Sequence, residues 1–181
     1  TGIRNRRDFQ KNLEHLIHSK SEGALAFIDV NHFKQINDLQ GHSVGDQVLV
    51  DIAETLKKVT RSNDCISRLA GDEFTVILCR VNERDIEKVL DKLVAALNSF
   101  VILADGSKLS YTVSVGGALF PQHASDEQNL IVKADLAMYK AKKKGMGRWH
   151  LFNPKEDDFS NLHEDSRLIH SLKQAIDDSR M

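Results

Sequence analysis

Apolar residues follow two kinds of spacing along this chain, one typical of helices and one typical of strands. Apolar positions three and four residues apart predict helices over residues 5–17, 31–39, 44–58, 83–99 and 126–143. Short runs rich in apolar residues predict strands over residues 24–30, 65–69, 74–78, 101–103, 109–119 and 149–152. Nearly every residue of the first of these runs is apolar, which favours a central strand covered on both faces of a sheet.

The order of these elements predicts the fold class. Strands and helices interleave along the chain, but two predicted hairpins interrupt the alternation. This pattern favours an α/β domain of the α+β kind, with a mixed, largely antiparallel central sheet flanked by helices, over a doubly wound parallel sheet. Gly116 and Gly117, late in the last long strand, predict a β-bulge or a close approach of another backbone segment.

The end of the chain differs in character from the rest. Residues 153–162 are polar and predict a linker, and a weaker apolar stripe over residues 164–176 predicts one more helix. We therefore predict one domain over residues 1–152, followed by a linker and helix over residues 153–181. Because the chain begins at Thr1 without a Met, we expect it to be cut from a longer protein.

Composition and charge narrow the functional classes. The 181 residues are 41% hydrophobic and 28% charged with a formal net charge of −1, so no bulk positive charge favours a nucleic acid polymer or a membrane surface. No apolar run approaches the roughly 20 residues that a membrane-spanning helix needs. Cys65 and Cys79 lie in apolar runs and predict buried thiols in a reducing compartment. We expect a cytoplasmic domain, with any membrane anchor elsewhere in the parent protein.

Three carboxylates stand at the ends of predicted strands. Asp29 lies near the end of the first strand, and Asp72 and Glu73 lie in the turn of the first hairpin. If these strands pair, the carboxylates converge, and they would then need solvent, a counter-charge or a cation. Oxygen ligands suit a hard ion such as Mg²⁺, which commonly binds nucleoside triphosphates. A surface turn at Gly71 and Asp72 is the structural alternative.

The resemblance to a known family rests on several motifs in order. Residues 70–74 read AGDEF, and the other matching segments are TGIRNRR at 1–7, FIDVNHFKQIND at 27–38, GHSVGD at 41–46, SVG at 114–116 and ADLAMYKAK at 134–142. Over about residues 1–152 the chain resembles a GGDEF domain, the catalytic domain of bacterial diguanylate cyclases. One five-residue motif would be weak evidence, but this ordered set is specific.

The resemblance implies a fold related to nucleotidyl cyclases and polymerase palms. It implies that two GTP molecules condense into cyclic di-GMP, with one GTP held by each subunit of a homodimer. By position, Asp29, the Val30 carbonyl, Asp72 and Glu73 would hold Mg²⁺ or Mn²⁺. Asp72 and Glu73 are also the catalytic candidates, because one acidic residue of the turn would help to deprotonate the attacking 3′-hydroxyl.

The remaining substrate contacts are also carried over by resemblance. Asn37 and Asp46 would recognise the guanine edge, since a carboxylate accepts from its N–H donors and an amide serves its acceptors. The expected neighbours of the phosphates are Phe33, Lys34, Gly71 and Lys142. Structural explanations exist for several of these residues. Asp46 could interact favourably with a helix dipole, and Lys142 could be one of several solvated lysines at a helix end.

A second motif precedes the hairpin. Residues 61–64 read RSND, and in the family an RxxD segment just before the signature forms an inhibitory site for the product. Arg61 and Asp64 are thus predicted to bind cyclic di-GMP, because arginine can contact phosphate or guanine with two hydrogen bonds. A solvated polar loop is the alternative.

The sequence departs from the family pattern at two places. Ala70 replaces the first glycine of the signature, and Met146 stands where the family usually has an arginine that contacts phosphates. The first hypothesis is therefore an active, product-inhibited cyclase. The second is a weak or inactive module that binds GTP or cyclic di-GMP and regulates an attached domain. The tail beyond residue 153 resembles the opening of an EAL phosphodiesterase domain, which would be that attached domain.

Overall fold

The structure, a computed structural model, describes residues 2–157. Its helices are α1 Arg6–His18, α2 Phe33–Gln40, α3 His42–Val59, α4 Ile86–Leu97 and α5 Glu127–Lys144. Its strands are β1 Gly23–Val30, β2 Cys65–Ala70, β3 Glu73–Cys79, β4 Ser99–Ile102, β5 Lys108–Tyr111, β6 Val113–Phe120 and β7 Trp149–Leu151. The predicted helix over residues 164–176 lies outside the described residues.

The central sheet has five strands in the order β2-β3-β1-β6-β7. All neighbouring strands are antiparallel except β6 and β7, which are parallel. Strands β4 and β5 form a separate two-stranded sheet. This arrangement confirms the predicted α+β domain with a mixed, largely antiparallel sheet flanked by helices.

Helices cover both faces of the central sheet, as the apolar character of β1 predicted. One face packs against α3 and α4, and the other packs against α1 and α5. Residues of β1 alternate between the two faces: Ala26 and Ile28 belong to the first core, and Leu25 and Phe27 belong to the second. The same alternation places Asp29 on the face that carries α1 and α5.

The structure divides the predicted strand 109–119 into β5 and β6. The break is at Thr112, where the Asn31 backbone N–H donates to the Thr112 carbonyl at 2.9 Å and the Asn31 amide donates to the Thr112 hydroxyl at 3.0 Å. With its hydrogen bonds directed to Asn31, Thr112 separates the two strands. β5 pairs with β4, and β6 pairs with β1. Apolar spacing alone does not show such a break.

Gly116 provides a close approach between backbones. Pairing between β1 and β6 continues without a shift past this residue, so no bulge is present there. A Cβ atom on Gly116 would overlap the backbone N of Met138 and the carbonyl O of Ala134. The missing side chain therefore lets α5 lie directly against the sheet.

The described part of the predicted linker is packed against the domain. Residues 153–157 form a turn, and the buried carboxylate of Asp157 lies 2.6 Å from Lys140 Nζ and 3.0 Å from His150 Nε2.

Two further observations concern predictions from the sequence, namely the burial of the two cysteines and the search for a membrane-spanning helix. Cys65 and Cys79 are free and only partly buried. No helix within residues 2–157 combines the length and apolarity required to cross a membrane.

Candidate nucleotide and metal site

Pairing of β1 with β3 places two of the predicted carboxylates side by side. Asp29 is the register partner of Glu73 across the two antiparallel strands. Side chains of directly opposed residues lie on the same face of a sheet and are close enough to interact. The sequence predicted that Asp29 and Glu73 would converge if their strands paired. The structure contains this pairing of β1 with β3.

A tight turn carries the third carboxylate. Gly71 has a φ of +47°, in the left-handed region that glycine adopts readily, and its carbonyl accepts a 2.9 Å hydrogen bond from Arg68 Nε. Ala70, the replaced glycine, ends β2 as the partner of Glu73 and has no positive φ. Asp72 follows in the turn, half-buried. The carboxylates of Asp29, Asp72 and Glu73 do not all lie within 4.8 Å of one another.

Helix α5 brings a cation to this edge. Lys142 Nζ lies 2.7 Å from Asp29 Oδ1, with the Lys142 side chain 37% exposed and the Asp29 side chain 14% exposed. This contact depends on the position of α5, which packs against the sheet at Gly116. An ammonium group thus already occupies one oxygen of a carboxylate that was predicted to bind a metal ion.

Burial and mutual repulsion disfavour the charged forms of the carboxylates. Burial raises the pKa of Asp29, the neighbouring Lys142 lowers it, and Asp72 raises it. The pKa of Glu73 is also raised, first by burial and then by the charges of Asp135, Asp29 and Asp72. The site therefore holds more negative charge than its own cation offsets.

Asp135 belongs to this site, although sequence reasoning did not select it. Burial raises the pKa of Asp135 to about 6, while Lys142 lowers it and Asp29 raises it. The residue lies inside the matching segment 134–142 and seven positions before Lys142, a spacing that puts both on one side of a helix. That spacing was the available signal, but it indicates a site only once the position of α5 is known.

The predicted guanine contacts lie on the two neighbouring helices α2 and α3. Asn37 lies on α2 and Asp46 lies in the first turns of α3. Between them, a Cβ atom on Gly45 would overlap the Asn37 amide oxygen, so Gly45 permits the close contact of the two helices. Asp46 is exposed and Asn37 is half-buried.

The residues predicted near the phosphates lie around the end of β1. Val30 ends the strand and is buried, opposite Val113 of β6. Phe33 begins α2 and is partly buried against the core, whereas Lys34 is exposed. Packing against the core is the structural explanation that was considered for Phe33, and it is compatible with a place beside a ligand.

The predicted product site lies beside α3 and α4, on the face of the sheet opposite the Asp29–Glu73 pair. Asp64 accepts hydrogen bonds from the backbone N–H groups of Arg61 at 2.8 Å and Cys79 at 3.0 Å. Arg61 is exposed and lines a cleft of about 440 Å³ beside α3 and α4. Other basic residues line the same cleft: Arg80, Lys88 and Lys92.

Comparison with known proteins identifies the family. The family model described as "Diguanylate cyclase, GGDEF domain" matches residues 1–148. The chain belongs to the GGDEF family. The crystal structure of the GGDEF domain of TpbB from Pseudomonas aeruginosa superposes with a TM-score of 0.79 at 36% identity, covering 84% of this chain and 98% of that chain. This GGDEF domain accordingly has the palm-like fold of its family.

The relatives include both cyclases and phosphodiesterases. Diguanylate cyclase TpbB of P. aeruginosa strain UCBPP-PA14 is 38% identical over 152 residues, which are 81% of this chain and 35% of that protein. Cyclic di-GMP phosphodiesterase NbdA of P. aeruginosa is 30% identical over 185 residues, covering 100% of this chain and 23% of that protein. The chain thus spans about a third or less of the length of these relatives.

A third similar protein was crystallised with a nucleotide. The GGDEF domain of DgcB from Caulobacter crescentus in complex with c-di-GMP superposes with a TM-score of 0.76 at 26% identity. The match covers 84% of this chain and 90% of that chain. This likeness extends the shared fold to a GGDEF domain that binds the dinucleotide.

Proposed function

We propose that this GGDEF domain is a diguanylate cyclase that condenses two GTP molecules into cyclic di-GMP with release of pyrophosphate. The observation that carries the proposal is the adjacent pair Asp29 and Glu73, half-buried on neighbouring strands with Lys142 at 2.7 Å from Asp29. Carboxylates with too little compensating charge, next to a lysine, suit a site for a metal ion and a triphosphate.

The predicted ligands are all oxygen atoms, which suits a divalent ion, and an ion between them would draw the three carboxylates closer than they lie here. Burial and repulsion raise the pKa values of Asp29 and Glu73, so an added positive charge at this edge would be favourable. Asp29, Glu73, the Val30 carbonyl and, from the turn, Asp72 would hold Mg²⁺ or Mn²⁺, which prefer oxygen ligands. When bound, the ion would neutralise charge on the phosphates during transfer.

The chain's own residues would bind and orient GTP. Asn37 of α2 and Asp46 of α3 would read the guanine edge, and Gly45 lets these two helices lie close together. Lys142 and Lys34 would contact the phosphates, and Gly71 would let the turn approach them because it has no side chain. Phe33 would pack beside them.

The reaction requires a proton acceptor and two sites. The 3′-oxygen of one GTP attacks the α-phosphorus of the other, its proton passes to an acidic residue of the turn, Asp72 or Glu73, and the bond to pyrophosphate breaks. One molecule of cyclic di-GMP needs two such steps, with each GTP acting once as the attacking group and once as the group attacked. A homodimer with one GTP per subunit would supply that geometry.

The test is direct. The purified 181-residue chain is incubated at high concentration with GTP and Mg²⁺, and cyclic di-GMP is quantified by chromatography. We expect product from this protein and from the control Glu54→Gln, an exposed substitution on α3, but none from Glu73→Gln. Turnover by Glu73→Gln equal to that of the unchanged protein would refute the metal-site assignment.

We also propose product inhibition at Arg61 and Asp64. The basic cleft beside Arg61 has the charge that a phosphodiester ligand needs, and it lies beside α3 and α4, on the face of the sheet opposite the Asp29–Glu73 pair. Asp64 holds the loop through backbone hydrogen bonds, which leaves the exposed Arg61 side chain to contact the ligand. Added cyclic di-GMP should therefore slow the reaction without competing for GTP.

A second candidate is a module that binds nucleotide without turnover and regulates an attached EAL domain. Met146, where the family usually has an arginine, is 55% exposed and offers no charge to a phosphate. A phosphodiesterase is also among the relatives. GTP binding without product would favour this candidate, and Met146→Arg should then raise GTP affinity by about tenfold, the value of one charge-assisted hydrogen bond. In either case GTP as ligand points to the bacterial cytoplasm.

A further inference from the structure

We propose that Asp135 is a positioning residue of the nucleotide site. It is a second carboxylate partner for Lys142, and it holds the lysine ammonium group when Asp29 binds a metal ion. The inference rests on the proposed function and deepens it. Its basis is the shared placement of Asp29, Asp135 and Lys142 at one edge of the sheet.

Lys142 and the metal ion compete for the same group. Lys142 Nζ lies 2.7 Å from Asp29 Oδ1, so an ion that takes up this position, or both oxygens of Asp29, displaces the ammonium. A lysine that leaves a buried carboxylate needs another anionic partner, or it loses a charge-assisted hydrogen bond. Phosphates can provide one after nucleotide binds, but a protein carboxylate can provide one throughout.

Asp135 is placed to be that carboxylate. It lies two turns before Lys142 on α5, and long side chains on a helix lean toward the helix N-terminus, so Lys142 extends in the direction of Asp135. The pKa of Asp135 agrees with this placement: burial raises it, the positive charge of Lys142 lowers it and the negative charge of Asp29 raises it. Asp135 is also the neighbouring charge that acts most strongly on Glu73.

Packing fixes this geometry. Ala134 and Met138, on either side of Asp135 along the helix, are buried against the sheet at Gly116. The backbone of Asp135 is therefore fixed at this edge of the sheet. Burial raises the pKa of Asp135 although Lys142 opposes that shift, so a carboxylate here has a cost that a residue serving only the fold would not need to bear.

The experiment is a double-mutant cycle read by metal binding. Four proteins are compared: the unchanged chain, Asp135→Asn, Lys142→Met and the double variant. The dissociation constant of Mn²⁺ is measured without nucleotide, from the electron paramagnetic resonance signal of free Mn²⁺, so that no phosphate can take the place of Asp135. The unchanged chain is also measured with a GTP analogue that has a methylene bridge between the α- and β-phosphorus atoms. Asp85→Asn, an exposed residue at the start of α4, is the matched control.

We expect Asp135→Asn to weaken Mn²⁺ binding about tenfold in the unchanged chain, the usual size of an effect from a group behind a metal ligand. In the Lys142→Met background the same change should cost less than about twofold, because no ammonium remains to be held. Asp135→Glu, which keeps the charge, should retain most of the affinity.

The outcomes separate the two proposals. A tenfold loss in both backgrounds, or no loss in either, would overturn the role of Asp135 while leaving the metal site in place. Failure of the unchanged chain to bind Mn²⁺ with the analogue would instead refute the proposed function. Melting of each variant without metal or nucleotide shows that the differences do not arise from unfolding.

Discussion

One carboxylate, Asp64, and a pair of carboxylates, Asp29 and Glu73, lie on opposite faces of the central sheet. They differ in whether the surrounding protein groups satisfy their negative charge. Asp64 accepts hydrogen bonds from two backbone N–H groups, so it is satisfied by its own loop. Asp29 and Glu73 are half-buried beside one another, and their pKa values are raised by partial burial and by neighbouring negative charge. The comparison indicates that Asp64 maintains a shape, whereas Asp29 and Glu73 are held ready for a positive ligand.

The largest expected effect breaks the nucleotide side of the comparison. Asp29→Asn should lower the rate of cyclic di-GMP formation at least about 100-fold, because metal ligation is worth several kcal/mol of transition-state stabilisation. The fold should survive, since the change removes a buried charge. Initial rates at saturating GTP, with a thermal melt of the same sample, measure both. A melting temperature far below that of the unchanged domain would show that Asp29 is structural.

The second prediction separates shape from ligand contact on the other face. Asp64→Ala should cost about 1–3 kcal/mol of unfolding free energy, because two backbone donors lose their acceptor. Arg61→Ala should cost less than about 0.5 kcal/mol, as expected for an exposed side chain. Yet it should raise the cyclic di-GMP concentration needed for inhibition at least about tenfold.

Urea denaturation gives the two stabilities, and rates with added cyclic di-GMP give the inhibition. Arg7→Ala, an exposed arginine of α1, is the control for loss of one positive charge. Equal inhibition of the Arg61→Ala variant and the unchanged protein would remove the cleft from the account of regulation. Equal destabilisation by the two changes would end the distinction drawn between Asp64 and Arg61.

A third prediction concerns pH and the cost of the buried charges. The pKa of Asp135 rises from 3.8 in the unfolded reference to about 6 in the fold, so the folded domain binds the extra proton more tightly. The associated stability is present below about pH 4 and is lost as pH rises through about 6. Asp135→Asn, which stays neutral, should be more stable than the unchanged domain at pH 8 by on the order of 1–3 kcal/mol.

Urea denaturation at pH 4 and pH 8, with a chelator present, tests this sign. The advantage of the variant should shrink toward zero at the lower pH. A constant difference across this range would mean that the carboxyl group does not titrate as its surroundings imply. Asp85→Asn, on the exposed start of α4, is measured alongside as the control for loss of one carboxylate.

Sequence reasoning succeeded where a pattern had a local cause. Apolar spacing predicted the central strand and the helices that cover it, and carboxylates at strand ends predicted the Asp29–Glu73 pair. It missed the break at Thr112, because that break arises from side-chain and backbone bonds to Asn31, far away in sequence. It missed Asp135 because the position of α5 depends on an approach at Gly116 that the two glycines suggested but did not locate.

The smallest expected effect concerns the departure from the signature. Ala70 ends β2 without a positive φ, whereas Gly71 has a φ of +47°. Ala70→Gly should therefore change the rate of cyclic di-GMP formation less than about twofold. Gly71→Ala should cost on the order of 1 kcal/mol of stability, since a side chain is disfavoured in the left-handed region. The pair isolates backbone conformation from chemistry, because neither residue carries a polar side chain.

Rates and melting temperatures of the two variants decide the point. If Ala70→Gly accelerated the reaction tenfold, the turn would have to adopt a second conformation during catalysis in which residue 70 needs a glycine. The present geometry predicts otherwise: residue 70 needs only to continue the strand beside Glu73, and alanine does that. The signature position that requires glycine is the next one, where the chain turns toward the predicted phosphate site.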